Sequence, residues 1–163
     1  MQWKYVTFLT CLFTTLAIAA PLNKRALTLQ SFNELSISNG TAGNAEAEAK
    51  AKFPVGSDLA AVSADDLDTL QTERESAEAA ETEAFNPAID DATDDDEETA
   101  LENGKIKNKV LKLTAEVLAL QIQQAQGEDT SDKIEEEQGK LDTNIALDKA
   151  AAGQESQSVD FDG

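Results

Sequence analysis

Histidine is absent from the 163-residue sequence, and cysteine, methionine, tryptophan and tyrosine occur once each. Those four lone residues, Cys11, Met1, Trp3 and Tyr5, all stand within the first eleven positions. Beyond them there is no thiol to bridge and no imidazole to act as a base. A disulfide-stapled secreted scaffold is thereby excluded. So are the usual general base, the thiol nucleophile and the common transition-metal ligands. Of six phenylalanines only Phe32, Phe53, Phe85 and Phe161 lie beyond residue 25, too few for the aromatic platforms of a sugar-cleaving site. Positive charge is also scarce: 13 basic residues face 32 acidic ones, a net charge of −19. A surface this acidic repels nucleic acid and anionic lipid and tolerates cationic partners.

Only one stretch is apolar for long. Residues 5–19, behind the single charge of Lys4, are apolar or hydroxylated throughout, which is the n-region and h-region pattern of a signal peptide. The run is too short to span a bilayer. Ala17 and Ala19 put small side chains where signal peptidase reads them, so cleavage is expected after Ala19. Lys24 and Arg25 then form a dibasic site, giving a propeptide over 20–25 and a mature chain over 26–163. Loss of Lys4, Lys24 and Arg25 leaves ten basic against 32 acidic residues, a net charge of −22. The expected location is extracellular, with association to the cell wall as the alternative.

Along the mature chain, apolar content rises toward the C-terminus. Between residues 60 and 100 only Val62, Leu67, Leu70, Phe85 and Ile89 are large and apolar, whereas residues 101–147 hold thirteen such side chains. Residues 26–62 read as irregular with a short helix. Within them, 42–52 is rich in Ala, Glu and Lys and is closed by Phe53-Pro54. Ser63 heads a helix over 63–86, capped by Asp66 and stopped by Asn86-Pro87. Its stripe of Leu67, Leu70, Ala77, Ala84 and Phe85 is broken by Arg74 and Glu81. Residues 87–99 carry seven acids in nine positions from Asp90 to Glu98 and read as an extended, disordered linker.

Residues 100–152 read as a helical hairpin. Ile106, Val110, Leu113, Val117 and Leu120 step by four and three, and Leu111, Leu118, Ile122 and Ala125 make a second adjoining stripe. Gly127 ends that helix. Ile134, Gln138, Leu141, Ile145 and Ala152 continue at helical spacing until Gly153, and residues 153–163 read as a disordered tail. The fold class expected is mainly α: a C-terminal antiparallel hairpin with a third helix packed on it as a small bundle, between a disordered acidic linker and termini. The broad face of the first hairpin helix needs a further partner, either the 63–86 helix or a second copy in a homo-oligomer. Seams this narrow do not suggest a ligand cavity.

No catalytic, cofactor-binding or metal-ligating residue is assigned. The acid run lacks the ligand order of a calcium loop, because Ala92 and Asp95 stand where a ligand and the turn glycine belong, counting from Asp90. Lys105, Lys107, Lys109 and Lys112 either neutralise that run or present a basic face to an anionic partner. Crowded carboxylates should carry folded pKa values above the unfolded ones, so that helicity grows on acidification. Asn39-Gly40-Thr41 is a turn and a candidate N-glycosylation acceptor.

Three stretches carry a resemblance: Phe32 to Phe53 with Ser36-Ile37-Ser38-Asn39-Gly40-Thr41-Ala42-Gly43-Asn44-Ala45, Asn103 to Gln126 with Gly104-Lys105-Ile106-Lys107-Asn108-Lys109-Val110-Leu111-Lys112-Leu113, and Asn144 to Phe161. Over nearly all of the mature chain the sequence resembles a family of small secreted proteins of filamentous ascomycete fungi, effector candidates among them. The resemblance implies secretion and fungal origin and carries over no cofactor, mechanism or site residue. The role expected is that of a secreted, non-enzymatic interaction protein with a protein or cell-wall partner, no nucleic acid and no membrane span. The alternative is a structural or surface-adsorbing wall protein.

Overall fold

The computed structural model describes residues 26–162, and its first element is a single helical turn, α1 (Phe32–Leu35). Ser31 and Glu34 close that turn reciprocally, the Ser31 backbone N–H and hydroxyl both donating to the Glu34 carboxylate. A two-residue strand, β1 (Gly40–Thr41), leads into α2 (Ala45–Lys52), and Phe53 turns inward at its end. After a 3-10 turn at Leu59–Ala61, the Ser63 hydroxyl accepts the Asp66 N–H at 3.1 Å and starts α3 (Ala64–Ala80).

Asn86-Pro87 does not stop the helix, contrary to expectation. A π-turn at Glu81–Phe85 widens the last turn of α3, the Asn86 N–H reaches back to the Glu81 carbonyl, and α4 (Asn86–Asp90) continues. A π-turn displaces the carbonyls that a proline ring would otherwise strike. Pro87 then sits at the start of its own segment, where its missing N–H costs nothing.

The acidic linker expected over 87–99 is also corrected. Only residues 91–94 connect; from Asp95 the chain is already α5 (Asp95–Ala125), 31 residues and about 46 Å long. Asp94 caps it by accepting the N–H groups of Asp96 (3.1 Å) and Glu97 (2.9 Å), and Glu97 bonds back to Thr93. Asp95, Asp96, Glu97 and Glu98 therefore occupy the first turn, where the positive helix end stabilises negative charge. Asp94 to Glu98 are five of the seven acids that suggested disorder, and together they cap α5 and fill its first turn.

Gly127, at φ 105°, ends α5 as expected. Its N–H bonds the Gln124 carbonyl and the Glu128 N–H bonds the Gln123 carbonyl, both at 3.0 Å, which is a Schellman closure. Thr130 is buried and its hydroxyl bonds the Leu120 carbonyl at 2.9 Å, turning the chain into α6 (Ser131–Ala150). A final strand, β2 (Glu155–Ser156), pairs antiparallel with β1 in the register Gly40 to Ser156 and Thr41 to Glu155.

Helix α5 is the axis of the molecule. α3, α6 and α2 pack along it, and it is buried on most sides from Ala100 to Ile122. The core is not confined to the C-terminal half: Leu35, Ile37, Ala45, Ala49, Phe53, Val62 and Leu70 join Val110, Leu111, Val117 and Ile122 in one cluster. α3 runs antiparallel to α5. Arg74 meets Glu116 at 2.8 Å, Glu78 meets Lys112 at 2.9 Å, and Glu81 meets Lys112 at 2.8 Å and Lys109 at 3.1 Å. Arg74 and Glu81, which interrupt the apolar stripe, are thus both among the residues that pair with α5 across the seam.

The tail over 153–163 was expected to be disordered, and through residue 162 it is instead part of the fold. Gln157 N–H bonds the Ala100 carbonyl at 2.9 Å, and the Asn103 amide donates to the Glu155 carbonyl at 2.8 Å. Phe161 stands edge-on to Phe32, ring centroids 5.8 Å apart, and with Val159 covers a second small core of Phe32, Ala80 and Phe85. The N-terminal segment is tied in a similar way. Leu27 N–H donates to Asp66 at 2.8 Å, Gln30 N–H to Glu73 at 3.0 Å, and Gly43 and Ala45 N–H to the buried Asp148 at 2.9 Å each. Polar side chains on helices hold backbone that has few apolar side chains of its own.

Candidate functional site

The processing residues Ala19, Lys24 and Arg25 lie outside the described residues. Asn39 is exposed just before β1, and Thr41, the third residue of its acceptor motif, is exposed too. Among the described residues no group of three or more His, Cys, Asp or Glu is placed to hold a metal ion. No described helix is long and apolar enough to cross a membrane.

The lysine run divides among several partners, and its ion pairs go not to the acidic stretch but to Glu48, Glu78 and Glu81 on α2, α3 and the π-turn. Lys105 donates to the Asn86 side chain. Lys107 is fully buried; its ammonium donates to the carbonyls of Asn39 and Thr41, both at 3.2 Å, and lies 2.9 Å from the Glu48 carboxylate. That cradle clamps both ends of the β1 segment to α5. Burial alone would raise the Glu81 carboxyl, but the ammoniums of Lys112 and Lys109 hold it below the ordinary 4.5. Glu73 goes the other way: burial raises it, and the Gln30 backbone bond only partly compensates.

A cleft that the sequence did not foretell lies among the helices. About 410 Å³ opens where α2, α5 and α6 meet, with Phe53, Val55, Val117, Leu118, Leu141 and Ile145 as apolar lining. Its mouth carries Thr114, Gln121 and Gln138, the Glu46 and Lys50 ion pair at 2.8 Å, and Asp142. Lys50 and Lys149 together hold the Glu46 carboxyl below its ordinary value. Asp142 accepts the Gln138 amide at 2.7 Å. Pairwise seam spacing along α5 and α6 cannot reveal such a space, because the third wall comes from the end of α2 and from Phe53 and Val55 beyond it. Another apolar hollow, of Ile89, Ile106 and Leu147 beside Lys105 and Lys109, is more open.

The arrangement defines a mainly α-helical protein built around one central helix, with a cleft where α2, α5 and α6 meet. Within that class the chain belongs to the family described as a domain of unknown function (DUF8454), whose model matches residues 27–160, from the N-terminal strap through the C-terminal tail. No curated protein and no solved structure matches the chain.

Proposed function

We propose that the chain is a secreted, non-enzymatic interaction protein of effector type from a filamentous ascomycete, released by cleavage after Ala19 and again after Arg25. Its scaffold is a small bundle of α3, α5 and α6, and Asn39 carries a glycan at the exposed turn before β1. The observation that carries this reading is the three-walled apolar cleft with its polar rim, in a chain with no histidine or cysteine beyond residue 25. A concave, largely apolar surface with a few polar groups is suited to binding.

Pull-down with the secreted protein, against cell-wall and host extracts, tests the reading. Wild type should capture a partner that a variant with a filled cleft does not. Recovery of the protein only from a detergent-extracted wall fraction would favour the surface-adsorbing alternative. That alternative has less support, since only Leu29 and Leu147 are exposed large apolar side chains among the described residues, and two side chains are too few for a broad adsorbing patch.

A further inference from the structure

The cleft between α2, α5 and α6 also carries information about its occupant. Its volume of about 410 Å³ lies in the range of small-molecule sites and is far too small to seat a partner helix. Val117 and Leu141 are buried in its floor, and Phe53, Val55, Leu118 and Ile145 complete an aliphatic and aromatic lining. Three charged side chains, Glu46, Lys50 and Asp142, complete the lining beside Thr114, Gln121 and Gln138.

The charges at the mouth are already engaged. Glu46 is shared by Lys50 at 2.8 Å and Lys149 at 3.1 Å, and Asp142 accepts from Gln138 at 2.7 Å. A carboxylate head group would compete with Glu46 for Lys50, and an ammonium would share Asp142 with the Gln138 amide. An anionic head group would also meet a protein of net charge −19 before processing. Gln121 differs from its neighbours: it is half-buried at the mouth, and its side chain engages no hydrogen-bond partner among the described residues. Its amide offers both a donor and an acceptor to whatever enters.

We propose that the cleft binds a small, uncharged, apolar molecule bearing one hydrogen-bonding head group, with the apolar body on Val117, Leu141 and Ile145 and the head group on the Gln121 amide. This proposal rests on the reading of the chain as a binding protein and names the ligand class of that same site.

The probe is N-phenyl-1-naphthylamine, uncharged and apolar, titrated into protein recovered from the medium of an expressing eukaryotic host. Its fluorescence should rise saturably with one site per chain. 1-Decanol should displace it, with decanoate and decylamine at least about tenfold weaker, since each must bury a charge beside lining charges that already have partners. Val55→Trp, which fills the cleft from its lip, should weaken the probe by about tenfold or more with the helical circular dichroism unchanged. If that variant loses helicity, Leu118→Phe narrows the cleft from the α5 side in its place. Gln121→Leu should leave the probe bound and weaken 1-decanol by about three- to tenfold, the range of one hydrogen bond.

Absence of saturable fluorescence, equal displacement by decanoate, or indifference to both cleft-filling variants overturns the proposal. Capture of a wall or host partner that Val55→Trp abolishes, in protein that does not bind the probe, overturns the ligand class but leaves the binding-protein reading standing. Loss of both overturns both.

Discussion

A Cβ placed on Gly104 would stand 1.8 Å from the carbonyl oxygen of Gln157 and 3.2 Å from the Phe85 ring. Helix α5 and the C-terminal tail therefore meet backbone to backbone, and only glycine permits that approach. Gly104→Ala should destabilise the protein by about 1–3 kcal/mol or more, although alanine is otherwise favoured over glycine inside a helix by about 1 kcal/mol. The urea midpoint measures this, and early protease cleavage near residue 157 should accompany it. An unchanged or higher midpoint would show that the tail does not lie on α5.

Lys107→Met should be among the most damaging single changes. It leaves the Asn39 and Thr41 carbonyls without their donor and breaks the contact with Glu48. A fully buried acceptor left without its donor costs about 1–3 kcal/mol; for these two part-buried bonds and the lost ion pair the total expected loss is about 2–4 kcal/mol. Glu48→Gln should cost less, because the Glu48 side chain is 40% exposed and the carbonyl bonds survive. Equal effects of the two variants in denaturant titrations would contradict this ordering.

Acidification should affect the protein through two opposed groups. The uniform upward shift expected of crowded carboxylates is not what the fold arranges, since Glu34, Glu46, Glu81 and Glu136 lie below 4.5 and Glu73 lies above it. A lowered folded pKa means that the stability due to Glu81 is present above pH 4.5 and is lost as pH falls through its folded value. A raised one means that the contribution of Glu73 is fully present below pH 4.5 and is lost as pH rises through its folded value. Glu81→Gln should therefore flatten stability against pH below 4.5, and Glu73→Gln should flatten it above. Urea midpoints from pH 3 to 7 give both slopes, and a change in the wrong window for either variant refutes its assignment.

How much of this was legible follows from which forces have a period. The apolar steps of Val110, Leu113, Val117 and Leu120 marked α5, and Gly127 marked its end, because helix burial and a left-handed C-cap leave signatures in spacing. The start of α5 was hidden in a run of acids. Composition there argues for solvation, whereas the cap by Asp94 and the helix dipole act on position. The straps were hidden for a different reason. Asp66, Glu73, Asn103 and Asp148 look like surface residues in sequence, and only their long-range bonds to backbone reveal them as anchors. Phe53 and Val55 gave no sign that they wall a cleft, since a site built by three segments has no local pattern.

Secretion and modification can be read on one gel. Protein exported from a eukaryotic host should begin at Ala26 by Edman sequencing and should lose mass on treatment with an amidase that removes N-glycans. Asn39→Gln should abolish that loss without unfolding the protein, because the Asn39 side chain is exposed and its carbonyl bond to Lys107 does not depend on side-chain identity. A start at Ala20 would remove the propeptide, and a full-length N-terminus would remove export by this route.

The pairing of Gly40–Thr41 with Glu155–Ser156, and the seating of Phe161 on Phe32, join parts of the chain separated by more than a hundred residues. Helix packing along α5 relies on nearer neighbours, whereas the small core around Phe32 and Phe85 is covered only with Val159 and Phe161 in place. The two ends of the described chain therefore become ordered together, and neither can be trimmed without opening the other.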